Sequence, residues 1–425
     1  MTALATVTRA PLTVNRKYLA AAVFVLFGIA DILFGAYAHK GDATFALALP
    51  GASTHVPSIH VPAAQVAYIL GGASILIGVA RATFEEPTFV KRLNIAATLL
   101  FLVISLLLWA DTGSWANGIP VNVVSLLQNT LTASIPLILG ALAGCMGERA
   151  GVINIAIEGQ LLLGAFTAAV VASAVGVLWL GLISGSLAGG LVGAVLALFA
   201  IRFFVDQIIL GVVLNLLISG ITGYLYDRLL VPEANTFNNA TTFSSVKIPG
   251  LGDIPIIGPI FFDSTIFLYI TYFAIIAVQV GLFSTRWGLR VRAVGEHPTA
   301  ADTVGIKVLG IRYGNVIIGG MLAGIGGAYL TIGSVGTFSK DMSSGLGYIA
   351  LAAMIFGRWT PLGATAAALL FGFTEALGSF MGSITVPISP YLLAMLPYLA
   401  TIVAVAGLVG RVRAPAADGK PYVRA

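Results

Sequence analysis

Four polar side chains interrupt otherwise apolar stretches of the chain: Asn154, Glu158, Asn215 and Glu375. Carboxylates and amides in such surroundings can hydrogen-bond the polar groups of a passing solute, carry a proton or sodium ion, or bond one helix to another. A charged side chain at bilayer depth costs about 2.5–3.5 kcal/mol on insertion scales, so each carboxylate there invites a functional reading. Asn154 and Glu158 lie one helical turn apart and can face the same side of a helix. Lining a path and bonding neighbouring helices both fit these residue types. Glu148 and Arg149, just ahead, could form a structural pair.

Other chemistries find less support. His39, His55 and His60 share one loop, but their spacing matches no compact metal site. Neither H-E-x-x-H nor G-x-S-x-G occurs, which disfavours a membrane-embedded enzyme. No G-x-x-x-x-G-K-[ST] occurs either, so this chain has no such cradle for nucleotide phosphates. Cys145 is the single cysteine, which rules out an internal disulfide. Asp31 reads as a bond to a neighbouring helix.

The elements that must position these residues are membrane helices. Of 425 residues, 58% are hydrophobic and 9% charged, whereas a soluble domain carries about 25% charged residues. The expectation is an all-α, polytopic transmembrane bundle of about twelve spans: 18–38, 63–80, 93–110, 122–143, 152–174, 177–201, 207–226, 265–284, 311–333, 346–357, 362–381 and 390–410. Stretch 346–357 is short and reads as half of a broken or re-entrant helix. Fifty glycines suit helices that pack backbone to backbone. The run from Tyr18 to Ala38 ends in Ala36-Tyr37-Ala38, like a signal-peptidase site, but is too long for a signal peptide and reads as an uncleaved span.

Threading the spans from a cytoplasmic N-terminus places Arg81, Lys91, Arg92, Arg149, Arg202, Arg286, Arg290, Arg292, Lys307, Arg358, Arg411 and Arg413 inside, as the positive-inside rule requires. The net charge of +5 is therefore a topology signal, and no nucleic-acid partner is implied. Segment 227–263, rich in Asn, Thr, Pro and Gly, falls outside and segment 285–310 inside. Within GLRVRAVGEHPTAADTVGIKVLG, from Gly288, Pro298 suits the first turn of a helix and Gly305 its C′ position. This two-turn helix is either an ordinary connection or an element that seats in a groove of a soluble partner. The stretches from Val152 and Tyr348 show a faint internal likeness, each leading into a Gly-Ala helix.

GERAGVINIAIEGQLLLGAF, from Gly147, resembles the signature of permease subunits of bacterial ABC importers for simple sugars, branched-chain amino acids and nucleosides, and is most similar to nucleoside-importer permeases. DQIILGVVLNLLISGITGYLY from Asp206, GLRVRAVGEHPTAADTVGIKV from Gly288 and GYIALAAMIFGRWTPLGATAAALLFGFTEALG from Gly347 agree in the same order. The resemblance implies a bacterial cytoplasmic-membrane permease, and the threading above puts both termini on the cytoplasmic side. Its implied divisions are 1–17, a cytoplasmic N-terminus; 18–120, a three-helix membrane extension; 121–410, the permease core; and 411–425, a cytoplasmic tail.

It further implies a coupling helix, with Glu296, Pro298, Ala300, Ala301, Asp302 and Gly305, that docks on a separate ATPase subunit. That partner would bind ATP and magnesium, and this chain would hold no cofactor. A second permease subunit, an extracytoplasmic solute-binding protein or lipoprotein, and membrane lipid are the other implied partners. Asn154, Glu158, Asn215 and Glu375 would then line a path for nucleosides or related simple sugars. The alternative is an ion-coupled secondary transporter using Glu158 or Glu375.

Overall fold

The computed structural model describes residues 16–38, 41–49, 56–113, 115, 120–384, 386–395, 398 and 413–423. His39, His55, Arg411 and most of the expected span 390–410 lie outside them. The chain divides into two compact units.

The first unit comprises the described residues up to Val123 together with 386–388 and 381–384. It holds α1 (Arg16–Tyr37), α2 (Ala63–Thr83) and α3 (Thr88–Thr112). Strands β1 (Asp42–Ala46), β2 (Ile59–Pro62) and β3 (Val121–Asn122) form a small sheet in the order β2-β1-β3, antiparallel between β1 and β2 and parallel between β1 and β3. Asp111, near the end of α3, accepts from the amides of Thr44 (2.7 Å) and Val121 (3.0 Å), which ties the helix to the sheet. Asp31 is fully buried and accepts from Ser74 Oγ at 3.2 Å, so it bonds the neighbouring helix as the sequence suggested. His60 Nδ1 lies 3.0 Å from Thr44 Oγ1, and no three-residue metal cluster occurs among the described residues.

The second unit runs through α4 (Val123–Arg149), α5 (Ile157–Val175), α6 (Leu178–Ala197) and α7 (Gln207–Leu225). A polar loop follows, carrying α8 (Ala234–Phe237), β4 (Ser245–Lys247), α9 (Ile257–Phe261) and β5 (Asp263–Thr265), with β4 and β5 antiparallel. Then come α10 (Ile266–Ser284), α11 (Arg286–Glu296), α12 (Pro298–Thr303), α13 (Val308–Ala328), α14 (Leu346–Phe356), α15 (Pro361–Ser383) and α16 (Pro390–Ala394). Helices α6, α7 and α13 each end in a π-helical stretch, at Leu198–Arg202, Tyr226–Leu230 and Tyr329–Val335.

Among the described residues ten helices are long and apolar enough to cross a membrane, not the twelve expected. The difference has two sources. Helix α14 has eleven residues, about 16 Å of rise against a hydrocarbon core of about 30 Å, so it cannot cross alone. The span at 390–410 lies largely outside the described residues.

Helix α4 is the central element, buried without interruption from Ser134 to Glu148. Small residues set the closest packing, between α6 and α13. A Cβ on Gly189 would stand 2.2 Å from the Gly320 carbonyl oxygen, and one on Gly320 would stand 2.4 Å from that of Gly189. The backbones therefore touch, which only glycine permits. Gly189→Ala is expected to lower the midpoint of thermal unfolding in detergent, because overpacking costs roughly 1–3 kcal/mol or more where the neighbour is backbone. An unchanged midpoint would show that the helices part freely.

Candidate functional site

The site is built around a break. Helix α4 stops at Arg149, α5 starts at Ile157, and the chain between is not helical. Such backbone is tolerated inside a membrane bundle only where protein groups satisfy its N–H and C=O groups. Side chains from α7 do so here. Gln207 Oε1 accepts from the Ile153 amide at 2.7 Å. Asn215 Nδ2 donates to the Ile155 carbonyl (2.9 Å), and Asn215 Oδ1 accepts from the Gly159 amide (2.8 Å). Asn154 and Gln160, both fully buried, bond reciprocally at 3.1 and 3.3 Å. Asp206 caps α7 by accepting from the amides of Ile208 and Ile209, which orients the helix carrying Gln207 and Asn215.

Glu158, in the first turn of α5, reaches a second irregular stretch, 336–345, that precedes α14. Its Oε1 accepts from Ser343 Oγ (2.6 Å) and the Gly345 amide (2.9 Å), and its Oε2 accepts from the Gly347 amide (2.7 Å). A carboxylate suits this place because it offers acceptors only, to three donors at the N-terminal end of a helix. Tyr348, one residue on, lies 3.2 Å through its hydroxyl from Asn215 Nδ2. The break, α7 and the entry to α14 thus meet in one polar knot.

Three of the four expected path residues, Asn154, Glu158 and Asn215, belong to this knot. Glu375 does not: it is exposed on α15, and no hydrogen bond joins it to the other three among the described residues. Sequence reasoning missed Gln160, Gln207, Ser343 and Tyr348. The two glutamines, each at the opening of an apolar run, were the available signal. Asn215→Leu is expected to destabilise the unit strongly, because it orphans the buried Gly159 N–H and Ile155 C=O at roughly 1–3 kcal/mol each. A detergent-melting midpoint within 1 °C of the unaltered chain would contradict this.

At the other end of the break, Glu148 and Arg149 do not pair with each other. Arg149 Nε donates to the Trp359 carbonyl (2.7 Å) and Nη2 to that of Arg358 (3.2 Å), while the Trp359 indole N–H donates to Glu148. Arg358 and Trp359, in the turn between α14 and α15, both have left-handed backbone, φ +57° and +53°. Two adjacent non-glycine residues in that region are unusual, and the bonds from α4 hold them there. Helices α14 and α4 are therefore fastened together at this end.

The expected two-turn helix exists as α12, with Pro298 in its first turn and Gly305 at φ +82° just beyond. Its faces differ. Ala301 is buried against Val294, Val308 and Tyr422, whereas Thr299, Ala300, Thr303 and Val304 are exposed. Glu296, at the end of α11, accepts from the Ala416 amide at 3.2 Å. Ala301 thus faces the protein's own C-terminal segment, although an outward docking face would have it pointing away. The Asp418 carboxyl in that segment is pushed above the usual carboxylate range, chiefly by burial.

Residues 126–406 match the family described as branched-chain amino acid transport system / permease component. The chain is 42% identical to the guanosine ABC transporter permease protein NupQ of Bacillus subtilis, over 69% of this chain and 95% of that protein. It is 39% identical to the nucleoside ABC transporter permease protein NupC of Lactococcus lactis, over 71% of this chain and 99% of that protein. It is 36% identical to a putative glucose ABC transporter permease protein, TsgC13, of Haloferax volcanii, over 62% and 80% respectively. The family match begins after α3, so the first three helices stand outside it. No solved structure matches the chain.

Proposed function

Because this chain belongs to the permease-component family of the branched-chain amino acid transport systems, we propose that it is the membrane-spanning subunit of an ATP-driven importer whose solute is a nucleoside. One observation carries the choice of solute: two relatives named for guanosine and nucleoside transport align over 95% and 99% of their own lengths. Related simple sugars are the second reading, favoured by the relative named for glucose.

ATP and magnesium belong to a separate cytoplasmic ATPase subunit in this reading, and the exposed face of α12 is its docking surface. A second, related permease subunit completes the membrane part. An extracytoplasmic binding protein or lipoprotein delivers the solute. Both termini lie on the cytoplasmic side of a bacterial cytoplasmic membrane, in line with the basic residues at 286–292 and 307 flanking α12.

The polar knot supplies what alternating access needs. Two non-helical stretches, 150–156 and 336–345, meet at Glu158, so the bundle has bending points that an unbroken helix would lack. Three bonds to the Glu158 carboxylate hold the two stretches together at that meeting point, so breaking or remaking them would shift the balance between conformations. Glu375, exposed on α15, is in this reading the carboxylate that meets solute or the second permease subunit. A gradient-driven cycle would use the same carboxylates as ion sites.

The test is transport by the complete complex in vesicles, with labelled nucleosides, pentoses and branched-chain amino acids compared directly. Nucleoside uptake is expected to exceed the other two by about tenfold, a discrimination of about 1.4 kcal/mol, and to stop without ATP. Uptake that persists without the ATPase subunit but collapses with the proton gradient would reject the ATP-driven reading.

A further inference from the structure

The C-terminal segment 413–423 lies against α11, α12, α13 and the break after α4, and touches both the docking helix and the polar knot's neighbour. Toward the docking side, the Ala417 amide donates to the Gly295 carbonyl at 2.9 Å and the Ala416 amide donates to Glu296 Oε2 at 3.2 Å. Tyr422 is buried in one cluster with Val294, Ala301 and Val308. Toward the break, Gly419 sits so close to Ile153 that a Cβ there would lie 2.7 Å from its Cδ1. The Asp418 carboxyl lies beside that of Glu148, the penultimate residue of α4. Arg312 of α13, buried itself, donates to the Lys420 carbonyl at 3.0 Å and anchors the middle of the segment.

We propose that residues 416–422 form a strap that carries displacement of α12 to the break at 150–156, with Tyr422 as its positioning residue on the docking helix. Three features support a mechanical role over mere covering. The strap is hydrogen-bonded to α11 and to Arg312 and packs against Ile153 and Ala301, so it is held on both the docking side and the break side. Its backbone donates to α11, the rigid element next to α12. Its contact with the break is van der Waals contact at Ile153, adjacent to the backbone that Gln207 and Asn215 hold. Direct contact also exists, since a Cβ on Gly295 would stand 2.2 Å from the Arg149 carbonyl oxygen. The strap therefore runs parallel to a shorter route and extends it past Arg149 into the break.

This inference rests on the permease reading, and one experiment separates the two. In vesicles holding the complete importer, ATP hydrolysis and solute uptake are measured together for the unaltered chain, Tyr422→Ala and Tyr422→Phe. Tyr422→Ala is expected to keep the ATPase subunit bound and hydrolysing, while solute moved per ATP falls about fivefold, the low end of a typical coupling energy. Tyr422→Phe, which keeps the ring in the cluster, is expected to restore the ratio. A chain ending at Arg413 is expected to show the same loss; if it fails to accumulate, the Tyr422 pair decides alone. A ratio unchanged in Tyr422→Ala, or hydrolysis and uptake falling in proportion, overturns the strap. An unaltered complex that hydrolyses ATP without moving any solute overturns the permease reading, and the strap with it.

Discussion

Glu158→Gln is expected to lower uptake by the complete importer at least tenfold at equal membrane abundance. The carboxylate takes three hydrogen bonds, from Ser343 Oγ, the Gly345 amide and the Gly347 amide. A glutamine keeps one acceptor oxygen and turns an NH2 toward donors, so at least one backbone N–H loses its partner. Bonds to a charged group contribute about 1.5–3 kcal/mol each, and a tenfold change in a rate or equilibrium needs only about 1.4 kcal/mol. Because these bonds join the start of α5 to the entry of α14, their loss shifts the balance between conformations as well as local stability. Uptake and thermal stability measured on the same preparation separate the two effects. Glu375→Gln provides the comparison: an exposed carboxylate outside the knot should leave stability unchanged, so any fall in uptake there reports contact with solute or with a partner. Full transport by both variants would remove the path from these carboxylates.

The second large effect concerns α12. Ala300→Arg combined with Val304→Asp is expected to weaken association with the ATPase subunit by about a hundredfold, about 2.7 kcal/mol. Ala300 and Val304 are on the exposed side of the docking segment, and Val304 is 74% exposed, an apolar side chain with no cover within its own chain. Charges introduced there without partners would lose their water on docking, which is costly. Co-purification with the ATPase reads the result directly, and normal recovery of the pair would place the docking surface elsewhere. Ala301→Arg acts differently, because Ala301 is 3% exposed and packs on Tyr422. A charged chain there must displace the strap, so its expected signature is retained association with fewer solutes moved per ATP.

Much of this architecture was legible in the residues. Apolar runs of about 20 residues gave ten of the helices, because the length of a membrane crossing leaves little freedom, but the expected span 152–174 ran through the break and α5 starts only at Ile157. Pro298 and Gly305 bracketed α12 for local reasons, a fixed φ at one end and a left-handed turn at the other. What could not be read was contact between segments distant in sequence. Glu158 meets Ser343 185 positions away, and Arg149 meets Trp359 210 positions away. Neither spacing leaves a periodic trace. The inward face of Ala301 was hidden for the same reason: a two-turn helix rich in alanine shows no amphipathic pattern, and the residue that covers it, Tyr422, belongs to a tail that composition alone makes look like solvated chain.

The glycine contact between α6 and α13 has a bearing on motion. Helices whose backbones touch along Gly185, Gly189, Gly320 and Gly324 cannot slide past each other without steric collision, so this pair travels as a single lever. A pivot must then fall outside that pair, and 150–156 and 336–345 are two stretches where the chain is already unwound. A spin label on each helix of the pair should keep a constant separation throughout turnover, while labels placed across either unwound stretch should not.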